Sequence, residues 1–90
     1  MSLPTITIEL YGMARMRAGQ REIVVSAATV GDAVAAVAQV CPALAEICRP
    51  DGQLAPQYLL SLDGERFLAD QAHPLQAGDK LLLLSADAGG

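Results

Sequence analysis

The chain has 90 residues, 52% of them apolar, and a formal net charge of -4, which suffices to close one small hydrophobic core. An acidic surface is repelled by phosphate, so nucleic acid and anionic membranes are excluded as partners and a basic protein surface is favoured. No apolar stretch approaches the ~20 residues that cross a bilayer, and no repeat, low-complexity tract or linker-like charge run marks a second domain.

The segment TITIELY alternates strictly, with Ile6, Ile8 and Leu10 on one face and Thr5, Thr7, Glu9 and Tyr11 on the other, the period of a half-buried strand. GMARMRAGQ, from Gly12 to Gln20, follows as a turn. REIVVS then predicts a second strand with Ile23 and Val25 inward, forming an antiparallel pair with the first. A helix is expected from Thr29, an N-cap residue with Asp32 three positions on. Val30, Ala33, Val34, Val37, Ala38, Cys41 and Leu44 recur on one helical face, whereas Asp32, Ala35, Ala36 and Gln39 point away. Pro42 stops the helix at or just after Val40.

Between residues 43 and 56, two prolines and the pair Asp51-Gly52 restrict the chain to a short helical turn or an irregular crossing. YLLSL, the turn pair Asp63-Gly64 and ERFL predict a strand, a tight turn and a short strand. A loop with a turn at Gly78-Asp79 precedes the last strand, KLLLLS. One helix in so small a domain must cover one face of a mixed sheet whose first and last strands lie adjacent and parallel. The fold class expected is therefore α+β, a ubiquitin-like β-grasp with four to five strands and one main helix packed on one face. Residues 1–84 form that domain, and residues 85–90 form a flexible tail ending Gly-Gly.

In the last strand both alternating sets are apolar, Leu81 with Leu83 and Leu82 with Leu84. The second face meets either a partner or the crossing at residues 42–57.

The remaining chemistry-bearing residues are sparse. Cys41 and Cys48 follow the apolar side of the helix and suit core packing, and the lone His73 beside Pro74 has no second metal ligand near it in sequence. Arg15 and Arg17 suit solvent, an acidic partner surface or a phosphate. GMARMRAG lacks the Gly-Lys-Ser/Thr ending of a phosphate loop. No nucleophile-base pair stands out, no bound cofactor or metal is expected, and activity as an independent enzyme is not expected. The N-terminal stretch lacks the basic start and apolar run of a signal peptide, so a cytoplasmic location with reduced thiols is expected.

The terminal Gly89-Gly90 brings no side chain to a core and costs ordering entropy. Two residues without Cβ do, however, let a backbone thread a narrow channel and approach a nucleotide. An α-carboxylate is ionised near neutral pH and is a poor electrophile. Adenylation makes it a mixed anhydride with AMP as the leaving group, and a sulfur nucleophile then yields a thiocarboxylate.

ARMRAG after the first strand, ATVGDAVAAVAQVCPAL over the helix, LSLDGERF, HPLQAGDKLLLL and the closing AGG occur in an order that resembles the MoaD family over nearly the whole chain. That family is the small subunit of molybdopterin synthase, within the MoaD/ThiS group of ubiquitin-like sulfur carriers. The resemblance implies that Gly90 is adenylated by a MoeB-like activating enzyme using ATP and converted to a thiocarboxylate by a sulfur donor. The sulfur is then passed to the pyranopterin precursor within a MoaE-like large subunit that holds the catalytic side chains. Gly89 would give the tail access to the channel, and Tyr11, Met13, Leu82 and Leu84 would face the partner. Ser85, Ala86 and Asp87 depart from the Pro-Pro-Val frequent in the family. Two alternatives stay open: a ThiS-like carrier for another pathway, such as thiamine or cysteine, and a ubiquitin-like interaction module with an inert terminus.

Overall fold

The computed structural model describes residues 3–51, 53–63, 66–67 and 70–85, with residues 66–67 as backbone only. Five strands, β1 (Thr5–Leu10), β2 (Glu22–Ser26), β3 (Tyr58–Leu62), β4 (Arg66–Phe67) and β5 (Lys80–Ser85), form one mixed sheet in the order β2-β1-β5-β3-β4. β1 and β5 are parallel at its centre, and the other neighbours are antiparallel. This is the β-grasp arrangement expected from the element order.

One main helix, α2 (Val30–Val40), covers one face. The Thr29 Oγ1 accepts the Asp32 backbone N–H at 3.2 Å, so the expected N-cap forms. Val30, Ala33, Val34 and Val37 are buried against Ile6, Ile8, Leu10, Leu81 and Leu83. Cys41 ends the helix in an extended conformation, φ -128° and ψ 89°, because the following Pro42 disfavours the helical region at the residue before it.

Two stretches differ from expectation. Residues 12–20, expected as a turn, hold a short helix, α1 (Gly12–Ala18). Gly12 and Gly19 bracket it with φ of +58° and +71°, values that glycine adopts without steric cost. Only Ala14 is buried, so the helix leaves no apolar period to detect. In the crossing at residues 42–57 the short helical turn is the expected form that occurs, Pro42–Ile47 making 3-10 turns kinked at Leu44, but Cys48 and Leu54 then form an antiparallel bridge that was not expected. Ala55 donates to the Ile47 carbonyl at 2.8 Å and Arg49 to that of Gln53 at 2.7 Å.

Leu44, Ile47 and Ala55 enter the core on the α2 side of the sheet. There Ile47, Val34, Val37, Leu60, Leu81 and Leu83 leave a void of only about 10 Å³. The crossing therefore extends the cover of the inner face, which already held Leu81 and Leu83, and leaves the face of Leu82 and Leu84 half-exposed.

At the end of β3, Asp63 has φ 53°, and its backbone N–H donates to the Lys80 carbonyl at 2.8 Å. Its Oδ1 accepts the Lys80 N–H at 3.2 Å. The turn partner Gly64 and the flanking Glu65 and Leu68 lie outside the described residues, as do Ala86, Asp87, Gly89 and Gly90 of the expected tail. Ser85, assigned to that tail by the sequence pattern, closes β5 and pairs with Tyr58. Among the described residues no helix is long and apolar enough to cross a membrane.

Candidate functional site

The candidate site lies around the end of β5 at Ser85. β5 is central, so its last residues are flanked on both sides: Leu10 beside Leu83 on β1, and Leu59 and Tyr58 beside Leu84 and Ser85 on β3. The Tyr11 N–H donates to the Leu83 carbonyl at 3.0 Å, which holds Tyr11 alongside the end of β5. α1 begins at once, and a Cβ at Gly12 would stand 3.6 Å from that of Ser85.

Strand alternation then sets the surface. Leu81 and Leu83 point under α2, so Leu82 and Leu84 point to the opposite face, together with Glu9, Leu59 and Ser61. Tyr11 and Leu59 are exposed, Leu82 and Leu84 are half-buried, and Met13 and Met16 stand exposed on α1 at the same end of the sheet. The four partner-facing candidates, Tyr11, Met13, Leu82 and Leu84, are thus brought together around the end of β5. The sequence reading missed Leu59 and Met16. Leu59 was legible as the cross-strand partner of Leu84 once β3 and β5 are paired, whereas Met16, 78% exposed, needed α1 to be recognised.

A charged chain borders this apolar area. The Tyr11 hydroxyl donates to Glu9 Oε2 at 2.5 Å, and the Lys80 ammonium meets Glu9 Oε1 at 2.8 Å. The bond from Lys80 and then that from Tyr11 hold the Glu9 carboxyl below its ordinary pKa of 4.5. The same contacts raise Lys80 above 10.5 and Tyr11 above 10.0, because each keeps its proton for Glu9.

Next to Tyr11, an open depression of about 420 Å³ is lined by Glu9, Leu10, Tyr11, Arg15, Arg21 and Glu22. The two arginines singled out in the sequence separate here. Arg17 pairs with Glu46, which also accepts the Tyr58 hydroxyl at 3.2 Å, and so fastens α1 to the crossing and β3. Arg15 has no ion pair among the described residues and lines the depression with Arg21.

Among the described residues no group of three or more His, Cys, Asp and Glu could hold a metal. Cys41 is buried and Cys48 half-buried, both as free thiols. The His73 carbonyl accepts from Val30 and its N–H donates to Asp70, so its backbone helps anchor the loop before β5. What the arrangement offers is an apolar face with a charged border, around the end of β5. Gly89 and Gly90 lie beyond the described residues.

No protein-family model matches the chain, and no curated protein sequence does. Solved structures do. Small archaeal modifier protein 1 from Haloferax volcanii is 30% identical with a TM-score of 0.81, covering 96% of this chain and 99% of that one. Small archaeal modifier protein 1 from Methanosarcina acetivorans shares the fold at 20% identity, with a TM-score of 0.82 over 100% of both chains. A chain of the BexX/CysO complex from Amycolatopsis orientalis does so at 18% identity, with a TM-score of 0.76 over 94% of this chain and 99% of that one.

Proposed function

The chain belongs to the ubiquitin-like family of small archaeal modifier protein 1, and from that premise we propose that it is a sulfur carrier, the small subunit of a molybdopterin synthase. In this reading a MoeB-like enzyme uses ATP to adenylate the Gly90 carboxylate with release of pyrophosphate, and sulfide-level sulfur from a sulfur donor displaces AMP, giving the thiocarboxylate. A MoaE-like large subunit then receives the tail, the thiocarboxylate sulfur attacks the pyranopterin precursor, and water cleaves the acyl–sulfur bond to return the Gly90 carboxylate. The carrier contributes the acyl group and the docking surface, and the large subunit contributes the catalytic side chains.

One observation carries the reading: the central strand β5 ends at Ser85 beside an exposed apolar surface. Apolar centres with polar borders are the usual anatomy of protein interfaces. Tyr11, Leu59, Leu82 and Leu84 supply the centre, and Arg15, Arg21, Glu9 and Lys80 supply the border. Met13, exposed on α1, adds to it. The Gly89 position gives the backbone the slimness a narrow channel demands.

The test is intact mass spectrometry after incubation with ATP, an activating enzyme and a sulfur source. The wild type should gain the mass difference between sulfur and oxygen, and a chain lacking Gly90 should not. A wild type that never gains that mass with any cognate activator refutes the carrier reading. A second reading, a carrier serving another acceptor, is favoured by the likeness to a chain of the BexX/CysO complex. Loaded carrier mixed with the large subunit decides between them, since only the first reading expects conversion of the pyranopterin precursor.

A further inference from the structure

β4 and β2 form the two edges of the sheet. β4 is described over Arg66–Phe67. β2 is five residues long and, among the described residues, has no strand beyond it.

The phase of the β1–β2 ladder tells which backbone groups are free. Leu10 donates to the Arg21 carbonyl at 2.8 Å and Ala27 to that of Pro4 at 3.0 Å. Ile8 faces Ile23 and Ile6 faces Val25 between them. In an antiparallel pair, alternate facing residues exchange both hydrogen bonds. Arg21, Ile23, Val25 and Ala27 therefore turn their backbone groups to β1, and Glu22, Val24 and Ser26 turn theirs to the open edge. β1 has the same phase on its other side, where Thr7 donates to the Asp79 carbonyl and Tyr11 to that of Leu83.

β2 is weakly guarded. It holds no proline, no lysine and no bulge, its register is continuous, its one charged residue Glu22 stands at its first position, and its middle residue Val24 is 58% exposed.

We propose that the β2 edge pairs with β2 of a second copy of this chain, antiparallel about a twofold axis at Val24. The strand is its own complement in that register: Glu22 faces the partner subunit's Ser26, Val24 faces the partner subunit's Val24, and all three facing pairs exchange both hydrogen bonds. Moving the axis to Glu22 would oppose two carboxylates, and moving it to Ser26 would leave Glu22 without a facing residue on the strand. β-branched pairs are favourable cross-strand neighbours, and like charges directly opposite are not. β5 lies two strands in from this edge, so the pairing leaves the Tyr11–Leu84 surface open, and the proposal does not depend on the function assigned to it.

The contact is smaller than the ~1,200 Å² of stable complexes, so the dimer should appear toward the top of a dilution series reaching about 1 mM. Sedimentation velocity on the full chain should show the mass rising from 9.4 kDa toward twice that value. Val24→Pro removes one edge-facing N–H and leaves the ladder to β1 intact, so it should fold and remain monomeric. Val24→Lys places two like charges at the axis and should do the same. Amide exchange at Glu22, Val24 and Ser26 should slow in step with dimer content. A wild type that stays at 9.4 kDa throughout, variants that associate as the wild type does, or fast exchange at those three amides within a dimer would each overturn the proposal.

Discussion

Leu81 and Leu82 are adjacent, chemically identical and on opposite faces of β5, so truncating each to alanine separates core from docking surface. Leu81 is fully buried, faces Ile8 and Leu62 in its neighbouring strands, and borders the small void beneath α2. The core there is already close-packed, so the missing side chain leaves a cavity that the two-sided sheet cannot close. The transfer and cavity contributions together place Leu81→Ala at about 3–4 kcal/mol within the ~2–5 observed for such truncations. A domain of this size has roughly 5–13 kcal/mol in all, so the loss is a large fraction of the total. With a urea slope of about 1–1.5 kcal/mol per M, the denaturation midpoint should fall by about 2–4 M.

Leu82 faces Glu9 and Ser61 and is half-buried, so Leu82→Ala should cost under about 1 kcal/mol and shift the midpoint little. The functional order should be reversed per unit of stability lost: Leu82→Ala weakens capture by the activating enzyme or large subunit in a fully folded protein. Equal destabilisation by the two variants would mean that the outer face is covered, and the docking surface proposed for it would fall.

Glu9, Tyr11 and Lys80 set the pH response of the border. The folded-state pKa of Glu9 is depressed, so its contribution is present above 4.5 and is lost as pH falls through the lower folded value. That of Lys80 is raised, so its contribution is present below 10.5 and is lost as pH rises through the higher folded value. Nuclear magnetic resonance of the Tyr11 ring should titrate above 10.0 in the wild type and return toward it in Glu9→Gln; no change between the two would contradict the hydrogen bond. Thr29→Ala removes the α2 cap and should cost about 1 kcal/mol, read as a lower urea midpoint, with Thr29→Ser close to the wild type. Thiol titration should modify the half-buried Cys48 before the buried Cys41, and reversal of that order would contradict the packing described.

The sequence reading succeeded where burial imposes a period. β1, β2 and α2 bury Ile6, Ile8, Leu10, Ile23, Val25, Val30, Ala33, Val34 and Val37, the residues their patterns indicated. The doubly apolar β5 also declared itself, since a half-exposed strand has no need of leucine at both alternating sets. α1 escaped detection because it buries only Ala14, so position in the fold rather than its own pattern makes it a helix. The course of residues 42–57 was hidden for a related reason: Leu44, Ile47 and Ala55 have irregular spacing, and only the surface left by α2 and the sheet determines where they fit.

Local pattern and spacing were thus sufficient for the β-grasp order and its core, because each such element must hide one face by itself. The make-up of the surface proposed for docking was a matter for the assembled molecule. Only strand pairing sets Leu59 beside Leu84, and only packing couples Arg17 to Glu46 and leaves Arg15 beside Arg21. Contacts between residues distant along the chain depend on register and layering, which no short stretch of sequence encodes.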